Sequence, residues 1–125
     1  MRCTNPANAQ ALVALLGLLL ACPFVKAQSP NDHFEKKVRP LFVEKCFSCH
    51  SSTKQNGGLR LDSRAAVLAG GDRGPAIVPG KPDESFLLRT LAHDGEVKMP
   101  PKRKLSAAEI AAVIEWVKSG AKMEP

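Results

Sequence analysis

The segment Cys46-Phe47-Ser48-Cys49-His50 constrains this chain more than any other part of the sequence. Two cysteines at this spacing lie on one helical turn, so each thiol can add to one of the two vinyl groups of a single haem. The histidine that follows directly then presents its imidazole to the iron from the same side. The motif therefore predicts one covalent haem c per chain, attached through Cys46 and Cys49, with His50 as an axial ligand.

Two other uses of closely spaced cysteines fit the sequence less well. A structural zinc site needs two further Cys or His ligands at close spacing, and no such pair lies near the motif. A thioredoxin-like redox pair is expected in a βαβ context, which the surrounding patterns do not provide. A haem protein is therefore the preferred interpretation.

The second axial position of the iron has few candidate ligands. Apart from His50, the chain after residue 27 contains four side chains that can bind iron axially, namely His33, His93, Met99 and Met123. Met99 is preferred because the two prolines after it fix an extended backbone, and a thioether ligand raises the potential of an electron-transfer iron. His93 is the main alternative, because it lies near the same loop.

The other two candidates are weaker. His33 is expected to lie exposed in the first helical turn, and Met123 is close to a fraying terminus. The walls of a haem pocket would come from apolar side chains that equally suit an ordinary core, namely Phe34, Phe42, Leu88, Leu91, Ile114 and Trp116. We favour core packing for most of this set.

Hydrophobic periodicity predicts an all-α fold of about five short helices separated by long loops. The first helix has apolar residues between positions 34 and 42, can be capped by Asn31 or Asp32, and is interrupted at Pro40. Further helices are expected over 63–68 and from Asp83 or Ser85 to 91, with a brief extended piece over 59–62 between the first two. A last helix begins at the capping box 106–109.

The first 27 residues have the pattern of a secretory signal peptide. Arg2 precedes an uncharged run over 11–21, and Ala27 ends a sequence suited to cleavage. The run is shorter than the roughly 20 residues that a membrane span needs. We expect residues 1–27 to be removed, leaving a cytochrome domain at 28–125 with its core at about 33–121, exported to the periplasm. A lipidated Cys22 is the alternative, and it is the only case in which we expect membrane attachment.

The charge balance predicts acidic partners. The whole chain has a formal net charge of +6, and residues 28–125 keep 16 basic against 12 acidic side chains, a charge of +4. No basic stripe interleaved with aromatic rings is present, so nucleic acid is not an expected partner. The basic cluster, defined as Lys98, Lys102, Arg103 and Lys104, surrounds Met99 in sequence and would steer a redox partner protein with an acidic docking face.

Several stretches together resemble one family. They are Val38-Arg39-Pro40, the haem motif 46–50, GGLRLD over 57–62, GPAIVPG over 74–80, KMPP over 98–101 and the closing stretch 114–121. In these the chain resembles a planctomycete-type cytochrome c domain of the class I cytochromes c, over about residues 33–121. The GGLRLD and GPAIVPG stretches indicate the narrower family, because all c-type cytochromes share the haem motif.

The resemblance implies a small cytochrome c-like fold, thioether links at Cys46 and Cys49, and His50/Met99 ligation of the iron. It also implies that the turn at Pro75 lies beside His50, where a carbonyl accepts the Nδ1 proton and tunes the iron. The first and last helices are expected to cross near Phe34 and Trp116.

Three functions are compatible with these observations. The leading one is a non-enzymatic electron carrier, because His/Met ligation leaves no vacant iron position. A haem enzyme or small-ligand sensor would need an open sixth position. A redox module of a larger complex is the third, since domains of this type often belong to longer chains.

Overall fold

Four helical segments and one small hairpin form the regular structure in the computed structural model, which describes residues 30–124. The first segment comprises α1 (Pro30–His33), a π-helical stretch (Phe34–Val38) and α2 (Arg39–Lys45). The hairpin pairs β1 (His50–Ser51) antiparallel with β2 (Lys54–Gln55). The remaining helices are α3 (Arg64–Ala69), α4 (Phe86–Ala92) and α5 (Ala107–Lys118), with 3₁₀ turns at Asn56–Gly58 and Pro82–Glu84.

The prediction of a mostly helical fold with long loops is confirmed, but a strictly all-α fold is wrong. The hairpin begins at His50, the last residue of the haem motif, and no strand had been predicted there. It consists of two residues in each strand, which is too short to produce an alternating apolar pattern. The extended piece expected over 59–62 does not form a strand.

Pro40 lies within the first helical segment and restarts the helix, as predicted. Arg39 donates its N–H to the carbonyl of Phe34, five residues earlier, so the chain passes through a π-helical stretch just before the proline. Pro40 then occupies the first turn of α2, where its missing N–H is tolerated.

The predicted cap of the first helix is wrong, because α1 already contains both Asn31 and Asp32. The Asn31 side chain instead accepts the N–H of Glu124, 3.1 Å away. The capping box predicted at 106–109 is confirmed, and Ser63 also caps a helix. Ser63 accepts from the N–H of Ala66, and Ser106 forms the full capping box with Glu109. These caps fix where α3 and α5 begin, and hence the loops that surround the site.

The core lies where the first helical segment meets α5. Phe34, Phe42 and Trp116 are almost fully buried, and their rings contact one another with centroids 5.3–6.3 Å apart. Ile114 is 38% exposed and so is not part of this core, contrary to prediction. Met123 is buried in it rather than frayed.

His33 also belongs to this crossing. It is half-buried, not exposed as predicted, and its Nε2 donates to the carbonyl of Ala112 at 2.8 Å.

The predicted signal segment, including Cys22, lies outside the described residues. Among those described, no helix combines the length and apolar character needed to span a membrane.

Candidate haem-binding site

The haem motif forms a tight turn at the end of α2. Cys46 closes the helix by donating its N–H to Phe42 at 2.8 Å. The N–H groups of Cys49 and His50 both bond back to the carbonyl of Cys46, at 3.1 and 2.9 Å. One helical turn therefore presents the two thiols and the imidazole to one region of the molecule.

The stretch that follows the hairpin also contacts His50. Leu61 donates its N–H to the carbonyl of His50 at 2.9 Å. This pairing brings the Leu59 carbonyl to 3.3 Å from Nδ1 of the His50 ring. Because a carbonyl can only accept, Nδ1 carries the proton and Nε2 is left with its lone pair, the form an imidazole needs to bind a metal.

In this structure the partner of His50 is thus Leu59, not the predicted carbonyl near Pro75. The sequence offered no signal for Leu59, because the contact depends on how the hairpin returns the chain. Gly74, next to Pro75, lines the site, whereas Pro75 does not. A role for Pro75 in haem binding stays a prediction of the family resemblance.

A cavity of about 410 Å³ lies beside this turn. It is of the size typical for cofactor sites. Its walls come from five parts of the chain: Lys45, Cys46, Cys49 and His50; Asn56, Gly57, Leu59 and Leu61; the loop 71–74; Phe86, Leu87, Thr90 and Leu91 of α4; and Val97, Met99, Pro100 and Pro101. The cavity therefore joins the haem motif to the Met99 loop, 49 residues further on.

Met99 is half-buried in this cavity wall and packs against the core. Its N–H donates to the carbonyl of Thr90 in α4 at 3.0 Å, and its carbonyl accepts from His93 Nε2 at 3.1 Å. Both backbone polar groups of Met99 are thus tied to the end of α4. The structure brings Met99 to the same cavity as the predicted attachment residues.

The three rival ligands do not line the cavity. His93 ends α4 and is bonded to the Met99 backbone, His33 is bonded to α5, and Met123 is in the core. Among the predicted wall residues, Leu91 alone lines the cavity. The core instead contains Phe34, Phe42, Leu88 and Trp116, in line with the core packing expected for most of the set.

Closely packed glycine backbones build one wall. Asp72 donates its N–H to the carbonyl of Gly57 at 2.8 Å, and Gly71 and Gly74 bond to each other through their backbones. A methyl group on Gly71 would overlap the Gly57 carbonyl oxygen. The loops 57–59 and 70–74 can approach this closely only because glycine occupies these positions.

Burial affects the chemistry of Cys46, one of the two predicted attachment residues. Desolvation raises the pKa of the Cys46 thiol to about 11. The thiol is therefore protonated at neutral pH and weakly reactive toward oxidants in solution. Ser48, between the cysteines, is exposed, and its hydroxyl lies 3.8 Å from the Cys49 sulfur.

The residues fit a covalent haem. Two thiols, an imidazole with a free Nε2 and a thioether line one cavity, and leucine and valine side chains supply much of the remaining wall. Two thiols followed by histidine are the donor set of haem attachment, and imidazole plus thioether is a ligand pair that haem iron accepts. Within residues 30–124, no group of three or more His, Cys, Asp or Glu side chains is arranged around a possible metal ion.

Comparison with known proteins agrees with this site. Residues 46–103 match the family described as planctomycete cytochrome C. The matched span begins at the first cysteine of the motif and includes the GGLRLD and GPAIVPG stretches, α4 and Met99. No curated protein and no solved structure matches the chain. Over residues 46–103, just under half of its length, the chain is therefore similar to the planctomycete cytochrome C family.

Proposed function

We propose that this protein is a monohaem c-type cytochrome that transfers electrons in the periplasm. In this proposal Cys46 and Cys49 hold the haem covalently, and His50 and Met99 are the axial ligands. One observation carries it: the haem motif and Met99, far apart in sequence, line the same cavity. When bound, haem supplies an iron that alternates between the ferric and ferrous states.

The residues around the cavity suit a carrier. The Leu59 carbonyl fixes the His50 ring, and α4 anchors the backbone of Met99. Axial ligands held in fixed positions move little when the iron changes its charge. Apolar wall residues such as Leu59 and Leu61 would shield a bound haem iron from water. Small structural change and a dry environment both favour fast electron exchange over catalysis, so we propose a carrier and not an enzyme.

The experiment that tests this proposal is optical spectroscopy of the oxidised protein, produced in a periplasm with a c-type maturation system. Sulfur-to-iron coordination gives a weak charge-transfer band in the near infrared. We expect this band in the wild type and its loss in Met99→Ala. Met123→Ala should keep the band, because Met123 is a core residue outside the cavity wall. A band that survives Met99→Ala would refute His/Met ligation. A high-spin spectrum in the wild type would instead support an enzyme or sensor with an open sixth position.

The basic cluster supports an acidic redox partner. Lys98, Lys102, Arg103 and Lys104 are all exposed. They flank Met99, Pro100 and Pro101, which line the cavity. Positive charge is therefore concentrated beside the stretch where the haem would approach solvent, and this arrangement would orient an acidic docking face toward the haem.

The periplasmic location rests on the sequence of residues 1–27. Intact-mass measurement of the purified protein tests it directly. A haem-bearing chain that begins at Gln28 supports export with cleavage. A chain that begins at a lipidated Cys22 would replace the soluble carrier with a membrane-anchored one.

A further inference from the structure

We infer that His93 is a positioning residue for Met99: its imidazole holds the Met99 carbonyl and so fixes the loop that carries the sixth ligand. This inference rests on the proposed function, because it assigns His93 a role through Met99. His93 was considered above as an alternative axial ligand, but it does not line the cavity. The positioning role replaces that one.

The backbone of His93 provides the first argument. His93 follows α4 directly and has φ 57° and ψ 29°, in the left-handed region. Glycine is the usual residue at this position, since a side chain is disfavoured there. In residues 30–124, Ala121 is the other non-glycine residue with a positive φ. A histidine at this position therefore calls for a contribution from its side chain.

The contact of the ring provides the second argument. His93 Nε2 lies 3.1 Å from the carbonyl oxygen of Met99, six residues further on. Because the carbonyl can only accept, Nε2 is the donor. The left-handed turn is what directs the chain, and with it the ring, back toward the Met99 loop.

Thr90 provides the other anchor of the same loop. Its carbonyl accepts the N–H of Met99 at 3.0 Å and the N–H of His93 at 3.2 Å. The Thr90 side chain is buried and donates to the carbonyl of Leu87 at 2.7 Å. The N–H of Met99 is thus held by the Thr90 carbonyl, and its carbonyl by the His93 ring.

Loss of the ring would leave Met99 attached at one point only. The thioether would then leave the iron more often, and an external ligand would compete more successfully for the sixth position. The apparent affinity for such a ligand increases with the fraction of molecules in which Met99 is dissociated. A hydrogen bond of ordinary strength corresponds to a change of about three- to tenfold.

The test uses the haem-loaded protein and imidazole as the external ligand, with binding followed in the Soret band. In His93→Gly the left-handed backbone is easier to adopt but the ring is lost. We expect imidazole to bind about three- to tenfold more tightly, with no fall in the melting temperature of the helices. His93→Asn, which accepts the left-handed conformation but has a shorter side chain, should behave like His93→Gly.

His93→Gln is the conservative control. Glutamine carries an N–H donor the same number of bonds from Cα as Nε2 of histidine, so it should restore imidazole affinity toward the wild-type value. A purely structural role for His93 as a helix end predicts the reverse order, with His93→Gly closest to the wild type. That result would overturn the inference.

A double mutant separates this inference from the proposed function. In a Met99→Ala background, His93→Gly should no longer change imidazole affinity, because no thioether remains to be positioned. If Met99→Ala removes the near-infrared band but His93→Gly leaves imidazole affinity unchanged in the wild-type background, the positioning role is wrong and His/Met ligation stands. If Met99→Ala leaves the band in place, the ligation itself is wrong, and the positioning role falls with it.

Discussion

The ring of Phe34 packs against the ring of Trp116, with centroids 5.3 Å apart and planes tilted by 36°. The two residues lie near opposite ends of the described chain, so this contact holds the first helical segment against α5. It confirms the helix crossing implied by the family resemblance. Trp116 also donates its Nε1–H to the carbonyl of Lys122 at 2.9 Å, which fixes the segment containing the buried Met123.

Trp116→Ala should therefore lower the free energy of unfolding by about 3–5 kcal/mol, since it leaves a large cavity among packed aromatic rings. Denaturant unfolding of the haem-loaded protein measures this. Ile114→Ala, on the same helix but 38% exposed, is the control and should lower it by less than about 1 kcal/mol. Equal losses in the two variants would mean that the crossing does not dominate stability.

The sequence predicted the parts of the site whose chemistry depends on local spacing. The haem motif, Met99 with the two prolines after it, and the capping box at 106–109 each involve residues within a few positions of one another. For that reason they produce recognisable patterns. The structure adds that the motif and Met99 meet at one cavity.

The parts that the sequence missed depend on contacts between distant residues or on backbone groups. The Leu59 carbonyl that faces His50 belongs to an apolar residue whose side chain gives no hint of this role. The bond of His33 to Ala112 joins positions 79 residues apart. In both cases the acceptor is a backbone carbonyl, which every residue type possesses, so sequence patterns cannot single it out.

A glycine at position 70 is expected to be indispensable for the wall beside the haem motif. Gly70 has φ +76°, and a methyl group there would overlap the carbonyl oxygen of Gly74. Gly70→Ala should lower the free energy of unfolding by more than about 2 kcal/mol, because backbone strain and the overlap add. Gly80 is a matched control with φ +80° and nothing within 4 Å of the added methyl group. Gly80→Ala should lose only the strain energy, about 1 kcal/mol, and equal losses would exclude the overlap as a cause.

Ser85 is a fully buried polar residue just before α4. Its hydroxyl accepts the N–H of Val78 at 2.9 Å and donates to the carbonyl of Lys81 at 2.9 Å. Ser85→Ala leaves the N–H of Val78 without this partner, so unfolding free energy should fall by about 1–3 kcal/mol. Ser52→Ala, an exposed serine in the hairpin turn, should change it by less than about 0.5 kcal/mol. A neutral Ser85→Ala would show that water replaces the hydroxyl.

Asp62 should make a contribution to the free energy of unfolding that depends on pH. The Arg60 guanidinium donates to both carboxylate oxygens, at 3.0 and 3.2 Å, and the N–H of Ser52 donates at 2.8 Å. The hydrogen bonds from Arg60, more than the one from Ser52, lower the pKa of Asp62 below its usual 3.8, despite partial desolvation. Because the folded pKa is the lower one, this stability is present above about pH 4 and is lost as the pH falls through the folded pKa.

The measurement is the difference in unfolding free energy between the wild type and Asp62→Asn as a function of pH. We expect the variant to be less stable at pH 7, and the difference to shrink steadily below about pH 4. Other acid-sensitive groups act equally on both proteins, so they cancel in the difference. Asp83→Asn makes the same change of charge at an exposed position and controls for the effect of net charge on stability. A difference for Asp62→Asn that is constant with pH would contradict the ionic role.

Charge reversal in the basic cluster should slow electron transfer to an anionic oxidant. Lys102 and Lys104 are exposed and lie within three residues after the cavity-lining Pro101. Ferricyanide serves as the probe, because it is a small anion that needs no specific docking surface. For Lys102→Glu with Lys104→Glu, we expect its rate to fall at least about threefold at 10 mM salt, where the Debye length is about 30 Å. The rates should converge near 1 M salt, where it is about 3 Å.

The matched control changes the net charge by the same amount elsewhere. Lys37 and Lys118 are exposed and lie on helices, outside the cavity wall. If steering is local, Lys37→Glu with Lys118→Glu should slow the reaction by a smaller factor at 10 mM salt. If both pairs slow it equally, the effect comes from net charge alone and the basic cluster does not steer the anion locally. A fall in rate that does not depend on salt, and that occurs only in the Lys102 and Lys104 variant, would indicate a disturbed Met99 loop. The near-infrared band of that variant would then be weakened.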